Sequence, residues 1–169
     1  PASAVVVSET TAYVGFGTDL DLEDVSNPAE PTAQSVTGLT AYEIHDLDVM
    51  NNLLVVGNGD GGVRIVSVTT PTAPSEIAHT VELTPVSSVV VQGPYMYTGG
   101  GGMGVFSWSD PVNPELEGSV GGQNYNVDVE GDYAYRAGST VDVITLPHTV
   151  FPTPLRQVST HTDFLVDVS

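Results

Sequence analysis

The side chains able to do chemistry in this sequence are mostly carboxylates, and they gather at a few points. Asp19, Asp21, Glu23 and Asp24 lie along one short stretch, and Asn58 and Asp60 sit in a second, glycine-rich one. Calcium takes about six to eight oxygen ligands, so Asp19, Asp21 and Asp60 are the calcium candidates, although their spacing is not that of an EF-hand loop. His45 precedes Asp46 and Asp48, and these fall where a strand approaches the axis of a radial array; His45 and Asp46 are the axial metal candidates. The histidines His45, His79, His148 and His161 are dispersed, with no H-E-x-x-H pair. Gly57 to Gly62 and Gly99 to Gly104 both match G-x-G-x-x-G. A dinucleotide site needs that motif between a strand and a helix, whose N-terminus meets the phosphate, and here another strand pattern follows each time. No G-x-S-x-G elbow is present. No catalytic residue and no enzyme activity are therefore expected. No cofactor is called for by a motif, and calcium is the one left open.

The elements that must carry these residues repeat along the chain. Val7, Val49, Val91 and Val129 hold equivalent places, at spacings of 42, 42 and 38 residues. Each opens a unit of the same plan. An apolar strand, a tight turn (Asn51-Asn52, Gly93-Pro94, Gly131-Asp132) and a second strand come first. A glycine-rich connection over residues 57–62 or 99–104, a third strand, a proline-punctuated turn and a fourth strand follow. The punctuation recurs as Pro28/Pro31, Pro71/Pro74 and Pro111/Pro114, and proline cannot extend a ladder because it has no N–H. A period of about 40–45 residues with four strands per unit is that of β-propeller blades. The sequence thus predicts one all-β repeat region over 1–169, with four four-stranded antiparallel blades at about 1–40, 41–84, 85–122 and 123–162. The alternative fold is a β-sandwich, whose short strands and regular turns give a similar pattern. No helix longer than about two turns is expected. The inner strands are expected at Ala4–Val7, Leu47–Val49, Val89–Val91 and Val127–Val129. Trp108, Tyr95 and Tyr97 are expected to pack between blades.

Phe164-Leu165-Val166-Asp167-Val168-Ser169 repeats the first strand once more, at a spacing of 39 from Val129 to Val168. Residues 163–169 are accordingly read as the first strand of a further blade. The chain also starts with such a strand, so its two ends are redundant rather than complementary. The expectation is an open arc cut from a larger propeller, with a partner or further blades on its flanks.

Charge narrows the partners. Aspartate and glutamate number 21, lysine and arginine together 3, and the net charge is −18; lysine is absent. Phosphate backbones are repelled, which excludes nucleic acid, and no apolar run is long enough for membrane insertion. At molar salt the Debye length falls to about 3 Å, so a carboxylate-rich surface becomes tolerable. The composition leads to the expectation of a halophilic, archaeal source. There is no cysteine, and hence no disulfide or thiol chemistry.

The pattern Val127-Asp128-Val129-Glu130-Gly131-Asp132-Tyr133-Ala134-Tyr135, with Asp24-Val25-Ser26-Asn27-Pro28 to Pro31, resembles the LVIVD repeat. The fourth unit departs from it, with Leu146-Pro147-His148 in place of Asp-Val-Ser. The resemblance implies β-propeller blades in a bacterial or archaeal surface protein, and it implies no catalytic residues. The functional expectation is a non-catalytic extracellular or surface scaffold. It would bind a protein partner, or copies of itself, through blade faces and loops. The alternatives are a propeller hydrolase or lyase with a metal on the axis, and a virion or appendage structural protein.

Overall fold

The computed structural model describes residues 1–38, 41–146 and 156–161, the last as backbone alone. The described residues build sixteen strands in four antiparallel four-stranded sheets, each in sequence order, with no helix among them. Blade I holds β1 (Ala2–Ser8), β2 (Thr11–Phe16), β3 (Asp19–Asp24) and β4 (Thr32–Gly38). Blade II holds β5 (Asp46–Met50), β6 (Leu53–Gly57), β7 (Val63–Ser67) and β8 (Ser75–Thr80). Blade III holds β9 (Val86–Gln92), β10 (Tyr95–Gly100), β11 (Gly102–Ser107) and β12 (Glu115–Gly121). Blade IV holds β13 (Asn124–Glu130), β14 (Tyr133–Gly138), β15 (Val141–Thr145) and β16 (Arg156–His161).

Local chemistry accounts for the repeat. Two-residue hairpins join the first and second strands, and their backbone must turn left-handed to match strand twist. Asn51 and Asn52 do so with φ of 54° and 61°, a conformation asparagine tolerates better than most side chains. The proline-punctuated segments leave the sheet between the third and fourth strands. Every blade then takes a bulge in that pairing at the same repeat position, after Leu22, Ile65, Val105 and Val143. A bulge inserted four times at one position sharpens the twist equally in all four outer strands.

The core lies between blades, because a single sheet with two apolar faces cannot bury both. Leu20 and Leu22 meet Leu47, Leu54, Val56 and Val66 between blades I and II. Val55, Val63 and Ile65 meet Val89, Met96, Phe106 and Trp108 between II and III. Tyr97, Met103 and Val105 meet Val127, Val129, Ala134 and Ile144 between III and IV. Trp108 and the Tyr95/Tyr97 pair are thus interblade residues but fill opposite faces of blade III, rather than one cluster. The second glycine run also differs from the expected loop: Gly99 and Gly100 end β10, Gly102 to Gly104 open β11, and only Gly101 lies between.

The first strands are neighbours in space, β1 beside β5, β5 beside β9 and β9 beside β13. Among the described residues no comparable packing joins β13 back to β1. The free face of β1 leaves Val5 and Val7 exposed at 65% and 57%. The expected fifth first strand, Phe164–Val168, lies outside the described residues, as does the Pro147-His148 departure in blade IV.

Candidate functional site

The inner strand ends carry the polar side chains with the most specific geometry. Alternation along β5 turns Leu47 and Val49 toward blade I, and so turns Asp46 and Asp48 toward blade III. Each aspartate grips two backbone amides. The Asp46 Oδ1 accepts from Leu47 N at 2.9 Å, and its Oδ2 accepts from Val89 N at 2.9 Å. Asp48 repeats this with Val49 N at 2.8 Å and Val91 N at 2.7 Å. β5 and β9 share no ladder, and these carboxylates supply the interblade bonds that a ladder would otherwise make. Burial raises the Asp48 pKa, the two N–H donors lower it, and the Asp46 charge adds a further rise. The net shift is upward, so desolvation outweighs the hydrogen bonds on the charged form.

Other seams use serine and arginine. The Ser3 hydroxyl donates to the Ile44 carbonyl at 2.5 Å, joining blade I to the segment entering blade II. Ser87 donates to Tyr125 O at 2.9 Å, and Ser88 accepts from Val127 N at 3.3 Å, joining III to IV. Further out in the same seam Arg136 Nε meets Asp142 Oδ2 at 2.6 Å. The Arg136 Nη1 also donates to Val120 O and Gly121 O of β12, at 3.3 and 2.8 Å. Both partners of this pair are buried. Tyr97, in that seam, has its hydroxyl pKa pushed up to about 12, chiefly by burial and secondarily by Tyr95.

The sequence-derived metal candidates separate. Asp19 and Asp21 stand on β3 with their side chains on the face opposite buried Leu20 and Leu22, half-buried at the free flank of blade I. One Asp21 oxygen there is buried without a hydrogen-bond partner in the described structure. Asp60 is exposed in the turn after β6, on blade II. Its neighbour Asn58 is fully buried and occupied: Nδ2 donates to Tyr42 O and Glu43 O at 2.9 and 3.0 Å, and Oδ1 accepts from Arg64 Nε at 3.0 Å. His45 is exposed and lies over Gly59, where an added Cβ would come within 3.0 Å of Nε2. Its partner candidate Asp46 is committed to backbone amides. No three His, Asp or Glu side chains among the described residues stand together as metal ligands. The residues that sequence reasoning passed over are Ser3, Ser87, Ser88 and Arg136. Serine carries no periodic signal, but Arg136 was detectable as one of only three cations, six residues before an aspartate on the next strand.

Comparison with known proteins bears on these units. The family model of the LVIVD repeat matches residues 1–36 and 85–121, which are the bodies of blades I and III. Two of the four blades are thus similar to the LVIVD repeat. Blades II and IV share the strand order and the bulge position of blades I and III. Among solved structures, the computationally designed Ika4 protein is similar with a TM-score of 0.73 at 14% identity, covering 87% of this chain and 92% of that one. The designed Ika8 protein gives 0.67 at 15% identity, covering 87% and 46%. A functionally unknown protein from Desulfotomaculum acetoxidans gives 0.76 at 16% identity, covering 94% and 55%. This chain thus spans about half the length of the last two. At these identities the likeness is one of fold. No curated protein matches in sequence.

Proposed function

We propose that this chain, two of whose blades are similar to the LVIVD repeat, is a non-catalytic scaffold of a halophilic organism, placed outside the cell or on its surface, that presents loops and blade faces to a protein partner. The observation that carries the reading is the use of Asp46 and Asp48. The inner carboxylates, which an axial metal enzyme would turn to its ligand, are here bonded to the amides of the adjacent blade. A net charge of −18 with no lysine supports life in high salt and leaves a surface that repels nucleic acid and anionic membranes. Exposed Val5, Val7, Phe16 and Val36 on blade I supply apolar surface for contact with another protein. The test is elemental analysis of the purified protein after dialysis against metal-free molar salt. The scaffold reading expects sub-stoichiometric transition metal. One equivalent of zinc, iron or manganese, lost together with His45→Ala, would replace the scaffold by a metalloenzyme.

A further inference from the structure

The outward face of blade IV is built as an interblade face. On β14 and β15 it presents Tyr133, Tyr135, Val141 and Val143, the repeat positions of Tyr95, Tyr97, Met103 and Val105 on blade III. On blade III those side chains pack against blade IV, and Tyr97, Met103 and Val105 are buried there. On blade IV, Tyr133, Tyr135 and Val141 are 45%, 41% and 47% exposed. The inner strand matches as well. Asn126 and Asp128 on β13 occupy the places of Asp46 and Asp48 on β5, on the face opposite buried Val127 and Val129. Asp128 has already made the first half of the grip: its Oδ1 accepts from Val129 N at 2.9 Å, as Asp48 does from Val49 N at 2.8 Å. In Asp48 the second oxygen reaches the next blade, whereas the second oxygen of Asp128 has no partner among the described residues.

We infer that this face is the seat of a fifth first strand, and that its occupant is the chain's own Phe164–Val168. Register supports this occupant. Asp46 and Asp48 bond residues 43 positions ahead in units of 42; with a unit of 39, Asn126 and Asp128 fall opposite the amides of Val166 and Val168. Val166 and Val168 are then the valines facing Tyr133 and Tyr135, as Val127 and Val129 face Tyr97. Reach supports it too. Val166 follows the end of β16 by five residues, and Val127 follows the end of β12 by six. Oxygen capture of the Val168 amide is a charge-assisted hydrogen bond, among the stronger kinds available to a strand that has no ladder partner on that side.

The test is amide hydrogen exchange by NMR on residues 1–169 in molar salt, with Trp108 emission as the check that the blades remain folded. The amides of Val166 and Val168 are expected to exchange at least about tenfold more slowly than in an unstructured chain, and Asp128→Ala to remove about tenfold at Val168 while leaving Val91 unchanged. Exchange at the unstructured rate in the parent chain would overturn the inference. A second arm follows Tyr133 and Tyr135 ring protons with a soluble paramagnetic probe. Val166→Asp/Val168→Asp is expected to uncover both rings at every protein concentration. Ring protection that survives this double substitution and rises with concentration would assign the face to a second molecule instead, and would equally overturn it.

Discussion

Replacing Asp48 by alanine isolates the contribution of one interblade carboxylate. The substitution leaves the N–H groups of Val49 and Val91 without their acceptors, 2.8 and 2.7 Å away in the native seam. An orphaned, partly buried N–H costs about 1–3 kcal/mol, so the gross loss is about 2–6 kcal/mol. Part is returned because the Asp48 charge no longer has to be desolvated, the cost that raises its pKa. A net loss of about 2–3 kcal/mol at pH 7 results. The pH dependence has a defined sign. A carboxyl whose folded pKa is raised contributes stability that is present at low pH and lost as pH rises through the folded value. The penalty for Asp48→Ala should therefore widen as the pH is lowered from 7 toward 4. Urea unfolding followed by Trp108 emission is the assay, because the chain's single tryptophan is buried in the same seam, with Nε1 donating to Gly93 O at 3.0 Å. A loss below about 0.5 kcal/mol, no larger than that of the exposed control Asp60→Ala, would refute the interblade role. So would a penalty that shrinks with acid.

Three further outcomes are expected. Burial pushes the Tyr97 hydroxyl up to about 12 from 10.0, which corresponds to roughly 3 kcal/mol of stability present below pH 10 and lost as pH rises toward 12. Urea midpoints at pH 9 and 11.5 should diverge less in Tyr97→Phe than in the parent. Arg136→Met leaves Asp142 charged and buried and should cost about 3–5 kcal/mol, whereas Arg136→Met/Asp142→Leu should recover most of it in the same unfolding assay. Thermal midpoints should rise by about 10 °C or more between 0.1 and 3 M NaCl, as screening relieves repulsion within a chain of net charge −18; an unchanged midpoint would make the acidity incidental.

The repeat made the fold legible. Valines at fixed spacing, paired turn residues and recurrent prolines each act locally, so Asn51-Asn52 declares a left-handed turn without reference to the rest of the molecule. Side chains on the two faces of a strand were readable in the same way, since alternation along Asp46-Leu47-Asp48-Val49 separates carboxylates from the apolar seam. What the alternation could not assign is the partner of each carboxylate. Asp46 and Asp48 resemble metal ligands in sequence because the amides they bind, on Val89 and Val91, carry no side-chain signature. Trp108, Tyr95 and Tyr97 illustrate a related limit. All three pack between blades as expected, yet Trp108 joins Met96 in one seam and Tyr97 joins Met103 in the other, a distinction of strand parity across two strands joined by a short loop. The four glycines at 99–102 read as a loop by composition. Instead the strands on either side extend into the run, where the backbone passes so close to Pro85 and Thr84 that a Cβ at Gly100 or Gly101 would collide with their carbonyl groups.

The central claim is that the inner aspartates hold blade to blade. An NMR titration of the Val89 and Val91 amides addresses it directly, run from pH 7 to 3 and then repeated at pH 7 with added Ca²⁺ and Zn²⁺. The Val91 amide is expected to follow the titration of the Asp48 carboxyl, with a midpoint above the usual aspartate range, and neither metal ion is expected to shift Val89 or Val91 saturably. A Val91 amide indifferent to Asp48, or one that moves with one equivalent of either ion, would contradict it.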